Sequence, residues 1–136
     1  MKFLPLPTTQ IKEKWDKIAP ILNKAVCLSP TKIDIDDVLS ASLAGSYLVW
    51  VVTDQEKIIA VVTTRLVPYP KGNAMALDFV GGDRMKEWMN LVLTTIEDHA
   101  KHNKCIHLEG FGRKAWGRYL KKLGWYESHI TYHKEI

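Results

Sequence analysis

Between Tyr47 and Val80 the sequence changes period, and this block limits the possible folds more than any other stretch. Tyr47 to Thr53 (YLVWVVT) and Ile58 to Val67 (IIAVVTTRLV) are runs of β-branched and aromatic residues parted by Asp54-Gln55-Glu56-Lys57, the pattern of a β-hairpin. Pro68-Tyr69-Pro70-Lys71-Gly72-Asn73 has the composition of a loop, and Ala74 to Val80 (AMALDFV) then reads as a third strand ending at Gly81-Gly82. Three consecutive antiparallel strands result.

Helical periodicity flanks the block on both sides. Ile11, Trp15, Ile18 and Leu22 recur at helical spacing, with Pro20 expected to kink or end that helix. Asp34 with Asp37 has the form of an N-cap with an acidic first turn, Ile35, Val38, Leu39 and Leu43 follow, and Gly45 suits a C-cap. From Asp83, read as an N-cap, Met85, Trp88, Met89, Val92, Ile96 and Ala100 form one apolar stripe on a helix of about five turns. Cys105 to Glu109 (CIHLE) is a short strand. Gly112 opens a last helix with Trp116, Tyr119, Leu120 and Leu123 on one face and Gly124 as its cap, and Tyr126 to Lys134 reads as a closing strand.

With an extended start from Lys2 to Leu6, the order is β-α-α-β-β-β-α-β-α-β, an α/β arrangement read as one domain over residues 1–136. No repeat or linker interrupts it. A strand, a long helix and a strand after an antiparallel hairpin predict a mixed sheet. Its parallel pair joins AMALDFV to CIHLE through a right-handed crossover. Ligands of such sheets bind where neighbouring strands diverge at their carboxyl ends.

Composition narrows the function classes. A chain with 46% hydrophobic residues and five Trp can bury a core and is not a disordered one. No apolar stretch reaches the length of a membrane span, and Met1-Lys2-Phe3-Leu4-Pro5 is too short and broken for a signal peptide, so a cytoplasmic protein without membrane contact is expected. Cys27 and Cys105 read as buried free thiols. The net charge of +4 suits an anionic ligand such as a nucleotide cofactor, and equally suits plain solubility. His99 and His102 share a helix face without a third ligand nearby in sequence, and His129 and His133 would lie roughly 13 Å apart along a strand, so no metal site is expected.

The element order, with Leu123-Gly124-Trp125 near the end of the last helix, resembles the GNAT N-acetyltransferases over nearly the whole chain. Gly81-Gly82, Glu97-Asp98-His99-Ala100 and the run from Gly112 to Leu120 also resemble small GNAT-like proteins of tailed bacteriophages. The resemblance implies acetyl-CoA as cofactor and an amine as acceptor. The family's phosphate loop, Q/R-x-x-G-x-G/A, falls in register with Arg84-Met85-Lys86-Glu87-Trp88-Met89. Arg84 fits, whereas Glu87 and Met89 replace both glycines, which makes the CoA motif degenerate. A shifted nest made by Gly81-Gly82-Asp83-Arg84 with Lys86 is one alternative, and a plain strand end at Gly81-Gly82 is another. Main-chain amides around Phe79 and Val80 would pair with the pantetheine.

The same resemblance implies a tyrosine that protonates the departing thiolate, and the matching stretch is Leu120-Lys121-Lys122-Leu123-Gly124-Trp125. Leu120 stands in the tyrosine position, with Tyr119 one residue earlier and roughly 100° around the helix. For the carboxylate base, Asp78 interrupts AMALDFV on the face shared with Ala74, Ala76 and Val80, and Glu109 ends CIHLE. A charge in an apolar strand needs a partner or a site, which favours Asp78. The family has a two-strand hairpin after the last helix. The 11 residues from Tyr126 to Ile136 suffice for one strand, so part of the acceptor wall is missing or comes from a protein partner or a homodimer.

Three functions are compatible with these readings. The first is an acetyl-CoA-dependent N-acyltransferase using Asp78 or Glu109 as base. The second is a GNAT-like binding or assembly protein without catalysis, phage-encoded and located in host cytoplasm or virion. The third is nucleic-acid binding through Arg113, Lys114, Arg118, Lys121 and Lys122, which is disfavoured because a helix with one buried face must show polar residues on the other.

Overall fold

A computed structural model of the chain describes residues 1–29, 32–112 and 114–136, and in it the β-rich block forms the middle of a five-stranded sheet. The elements are β1 (Lys2–Pro5), α1 (Thr8–Cys27), α2 (Ile35–Leu43), β2 (Leu48–Asp54), β3 (Lys57–Tyr69), β4 (Gly72–Gly82), α3 (Met85–His102), β5 (Cys105–Gly110) and α4 (Lys114–Lys121). Spatial order follows chain order, β1-β2-β3-β4-β5, antiparallel as far as β4 and parallel between β4 and β5.

The β2–β3 hairpin closes at Asp54↔Lys57, with Gln55 and Glu56 both at positive φ (50° and 67°), the handedness that matches the twist of paired strands. The β3–β4 connection is tighter than its composition suggests. Pro68 pairs with Asn73 and Tyr69 with Gly72, so the loop shrinks to Pro70-Lys71.

Helices cover both faces. On one side Ile11, Ile18, Leu22 and Val26 of α1, with Val38 of α2, pack on Val49, Val51, Val61 and Phe79. On the other, Trp88, Met89, Val92, Ile96 and Ala100 of α3 pack on Trp50, Val52, Val62, Met75 and Leu77. Phe3 of β1 stacks on Trp50 at 4.9 Å between ring centres. The buried indoles keep their donors satisfied: Trp50 Nε1 donates to Thr64 Oγ1 at 2.9 Å, and Trp88 Nε1 to the Asp83 carbonyl at 2.6 Å.

The termini of α2 match their sequence signals. Asp34 Oδ1 accepts from the Asp37 amide at 2.8 Å, the Asp34 amide donates to Asp37 Oδ2 at 3.0 Å, and Gly45 follows at φ +86°. Elsewhere the structure corrects the reading. Helix α1 runs through Pro20, which is exposed, as is Asp16, so the carbonyl deprived of its partner can turn to water while the apolar face continues to Val26. Asp83 is not the N-cap of α3. Its amide stays on the Ile59 carbonyl at 3.2 Å, which extends the sheet by one residue and leaves Arg84, at φ 61°, as the cap.

Residues 126–136 form no strand, in contrast to the expected closing strand over Tyr126–Lys134. Trp116, Tyr119 and Trp125 pack on the α3-side core, whereas Tyr126, Ile130 and Tyr132 of the tail are 81%, 72% and 89% exposed. The order therefore ends at α4. Both cysteines are free, but Cys27 is exposed, its thiol donating to Asn23 Oδ1 at 3.3 Å, while Cys105 is half-buried and burial pushes its thiol up. Among the described residues no helix is long and apolar enough to cross a membrane.

Candidate functional site

The parallel pair β4–β5 runs in register from Asn73↔Cys105 to Leu77↔Gly110, where β5 ends. β4 continues to Gly82, still paired with β3 but with no strand on its other side among the described residues. The strands thus part at their carboxyl ends, the place where open mixed sheets take ligands.

A bulge sits at this opening. Val62 pairs with Val80 and Thr64 with Leu77, so Asp78 and Phe79 together oppose Thr63, whose Oγ1 accepts from the Phe79 amide at 3.2 Å. The extra residue breaks the strand's alternation. Asp78 and Phe79 both line the α1–α2 side, and Val80 packs towards α3, in place of the shared face expected for Asp78 and Val80.

On the α1–α2 side a cavity of about 300 Å³ is lined by Ile33, Tyr47, Arg65, Asp78, Phe79 and Phe111, among others. Two carboxylates belong to this face. Asp78, whose side chain is 7% exposed, is held by Arg65 through Nε to Oδ2 at 2.7 Å and Nη2 to Oδ1 at 3.1 Å. That hydrogen bond is the main reason the guanidinium holds its proton more tightly than usual. Tyr47 is pushed up by burial first and by the Asp78 charge second. The second carboxylate, Glu109, lies beside Ala76 in the β4–β5 register. Its Oε1 accepts from Tyr69 Oη at 2.8 Å and lies 3.0 Å from His107 Nε2. The bond to Glu109 raises the Tyr69 phenol, which keeps its proton and remains a donor.

The structure therefore brings Asp78 and Glu109 onto one face and adds Arg65, Tyr47, Tyr69 and His107. Arg65 could have been found by the rule that singled out Asp78, a charge within an apolar strand. Tyr69 and His107 carry no such local signal. Tyr119 is separate from this group: it is half-buried on α4, packed on the α3-side core.

The free edge of β4, residues 78–82, offers main-chain groups to an extended ligand. Beyond it, Arg84 binds carboxylates: Nε and Nη2 engage Glu87 at 2.7 and 3.0 Å, and Nη1 engages Asp54 at 2.7 Å. Arg84 thereby draws the Glu87 carboxyl below its usual range. Gly81 and Gly82 have packing reasons of their own. A Cβ on Gly81 would stand 2.6 Å from the Ile21 carbonyl oxygen of α1, and one on Gly82 2.5 Å from the Ala60 side chain. Among the described residues no three His, Cys, Asp or Glu side chains gather as metal ligands. Of the basic face on α4, Arg118, Lys121 and Lys122 are exposed, and Arg113 lies outside the described residues.

No family model matches the sequence, and no curated protein matches it. Solved structures do. A possible acetyltransferase from Clostridium difficile 630 matches with a TM-score of 0.72 at 16% identity, over 99% of this chain and 97% of that one. Ribosomal-protein-alanine N-acetyltransferase from Brucella melitensis biovar Abortus 2308 gives 0.73 at 13% identity, over 100% and 99%. Glucosamine-6-phosphate N-acetyltransferase from Arabidopsis thaliana gives 0.67 at 14% identity, over 98% and 97%. At these identities the likeness concerns architecture, and the architecture is the GNAT acetyltransferase fold.

Proposed function

We propose that the protein is an N-acetyltransferase that moves an acetyl group from acetyl-CoA to a primary amine. The observation that carries this reading is the parting of β4 and β5 after Leu77 and Gly110, which sets an unpaired strand edge beside a cavity lined by Asp78, with Glu109 on the same face of the sheet. Acetyl-CoA would supply an acetyl group already activated as a thioester.

The chain's own residues divide the remaining work. The main chain from Phe79 to Gly82 would hold the pantetheine, and the start of α3, with Arg84 and Lys86, would hold the phosphates. Arg84 would exchange its carboxylate partners for phosphate oxygens. Asp78 has both oxygens committed to Arg65 and serves to hold the charge pattern of the cavity. Glu109 receives one hydroxyl bond and faces solvent more openly, so its carboxylate is the better place to put the proton that the acceptor nitrogen sheds. Tyr119, on the opposite side of the sheet, is the candidate donor towards the departing sulfur.

Calorimetric titration with acetyl-CoA tests the reading. Binding in the micromolar range supports it, and absence of heat at millimolar ligand would sink it. In the positive case Glu109→Gln should lower kcat by about 100-fold or more while leaving acetyl-CoA affinity unchanged, since removing a positioned base costs this order of rate.

A further inference from the structure

Resting on the acyl-transfer reading, we propose that the acceptor is a small primary amine carried on an aromatic body, bound as its ammonium in the cavity beside the β4 bulge. Size comes first. A volume of about 300 Å³ equals that of about ten waters in the liquid, room for a ligand of about ten non-hydrogen atoms. Most of the walls are apolar or aromatic: Ile33, Phe79, Phe111 and the ring of Tyr47, which meets Phe79 edge to face at 6.1 Å. Phe111, immediately after the end of β5, is 54% exposed and leaves an aromatic surface at the opening for a ligand ring to cover.

Charge then selects the polar end of the ligand. Arg65 and Asp78 cancel, Glu109 adds a negative charge felt at Arg65, and the facing groups Tyr47 and Tyr69 keep their protons. The lining itself is therefore neutral, and the further charge felt from the same sheet face is the negative one of Glu109. A cation is favoured there. An acceptor bearing phosphate or carboxylate would meet the negative charge of Glu109 on the same sheet face, while the Arg65 guanidinium already gives Nε and Nη2 to Asp78.

The test uses 2-phenylethylamine, spermidine and glucosamine 6-phosphate as probes. Calorimetry of the protein alone should show 2-phenylethylamine binding and no heat from glucosamine 6-phosphate. Release of free thiol from acetyl-CoA should give a kcat/KM for 2-phenylethylamine at least tenfold above either other amine. Phe111→Ala, at an exposed position, should raise the KM for 2-phenylethylamine about tenfold and leave acetyl-CoA affinity unchanged, the scale expected for losing one apolar wall. If acetyl-CoA binds and spermidine or glucosamine 6-phosphate is turned over as well or better, or if no amine is acetylated, the aromatic-amine assignment is overturned and the cofactor site stands. If acetyl-CoA does not bind, acyl transfer is lost; 2-phenylethylamine binding that weakens in Phe111→Ala then still supports the cavity assignment, and no binding overturns it.

Discussion

Asp78 is too buried for its charge to go unpartnered, and Arg65 answers it with two hydrogen bonds from a neighbouring strand. Arg65→Met should therefore destabilise the fold by about 2 kcal/mol, less than for a fully buried pair because the guanidinium is partly open to solvent. The double variant with Asp78→Asn should lose less than the sum of the singles, read from urea midpoints. His99 carries a pH dependence. It is half-buried, edge-on to Trp50 at 5.1 Å, and burial chiefly, with His102 second, lowers its affinity for a proton. A histidine depressed in the folded state binds more protons unfolded, so its stabilisation is complete above the ordinary value of 6.5 and is lost as pH falls through the lower folded value. The urea midpoint should drop between pH 7.5 and 5.5, and His99→Gln should flatten that drop. At this scale the sequence reveals that Asp78 needs an explanation but not which explanation. Its partner depends on cross-strand register, and the bulge that sets its neighbours has no signature in local periodicity.

Capping chemistry was legible at the scale of elements because the side chains concerned lie three residues apart: Asp34 caps α2 as the sequence predicts, and the structure adds the return bond from the Asp34 amide to Asp37. Boundaries set by distant packing were not legible. Pro20 fails to end α1 because it points to solvent, and Asp83 loses its capping role to the β3 ladder. Gly81 shows how firmly α1 and β4 are pressed together. Its missing Cβ makes room for a main-chain oxygen that cannot rotate away, so Gly81→Ala should cost about 1–3 kcal/mol through overpacking. Gly45→Ala is the control. Nothing lies within 4 Å of the added carbon, and only the positive φ is penalised, at about 1 kcal/mol. A smaller loss in Gly81→Ala than in Gly45→Ala, by chemical denaturation, would mean that α1 gives way and that the contact does not fix the α1–β4 spacing.

For the whole molecule, the change of hydrophobic period at Tyr47 and again after Gly82 reveals the order of elements, because a strand buried between two helical layers needs apolar residues on both faces. What the order does not reveal is where the sheet stops. The segment from Tyr126 to Ile136 has strand-like residues yet pairs with none of the described strands, and the edge of β5 stays open. A long-range ion pair among the described residues, Lys32 Nζ to Glu135 Oε2 at 2.6 Å, joins two exposed side chains and is worth about 0–1 kcal/mol. Truncation after Trp125 should accordingly leave the unfolding free energy, from urea titration, within about 1 kcal/mol of the full chain, whereas removing a paired, half-buried strand would expose apolar surface worth several times that. The far-UV circular dichroism should keep its shape for the same reason. A loss of about 3 kcal/mol or more would show that the tail joins the open edge of β5 in solution as a sixth strand, and would bring a new wall to the side of the sheet where Glu109 lies.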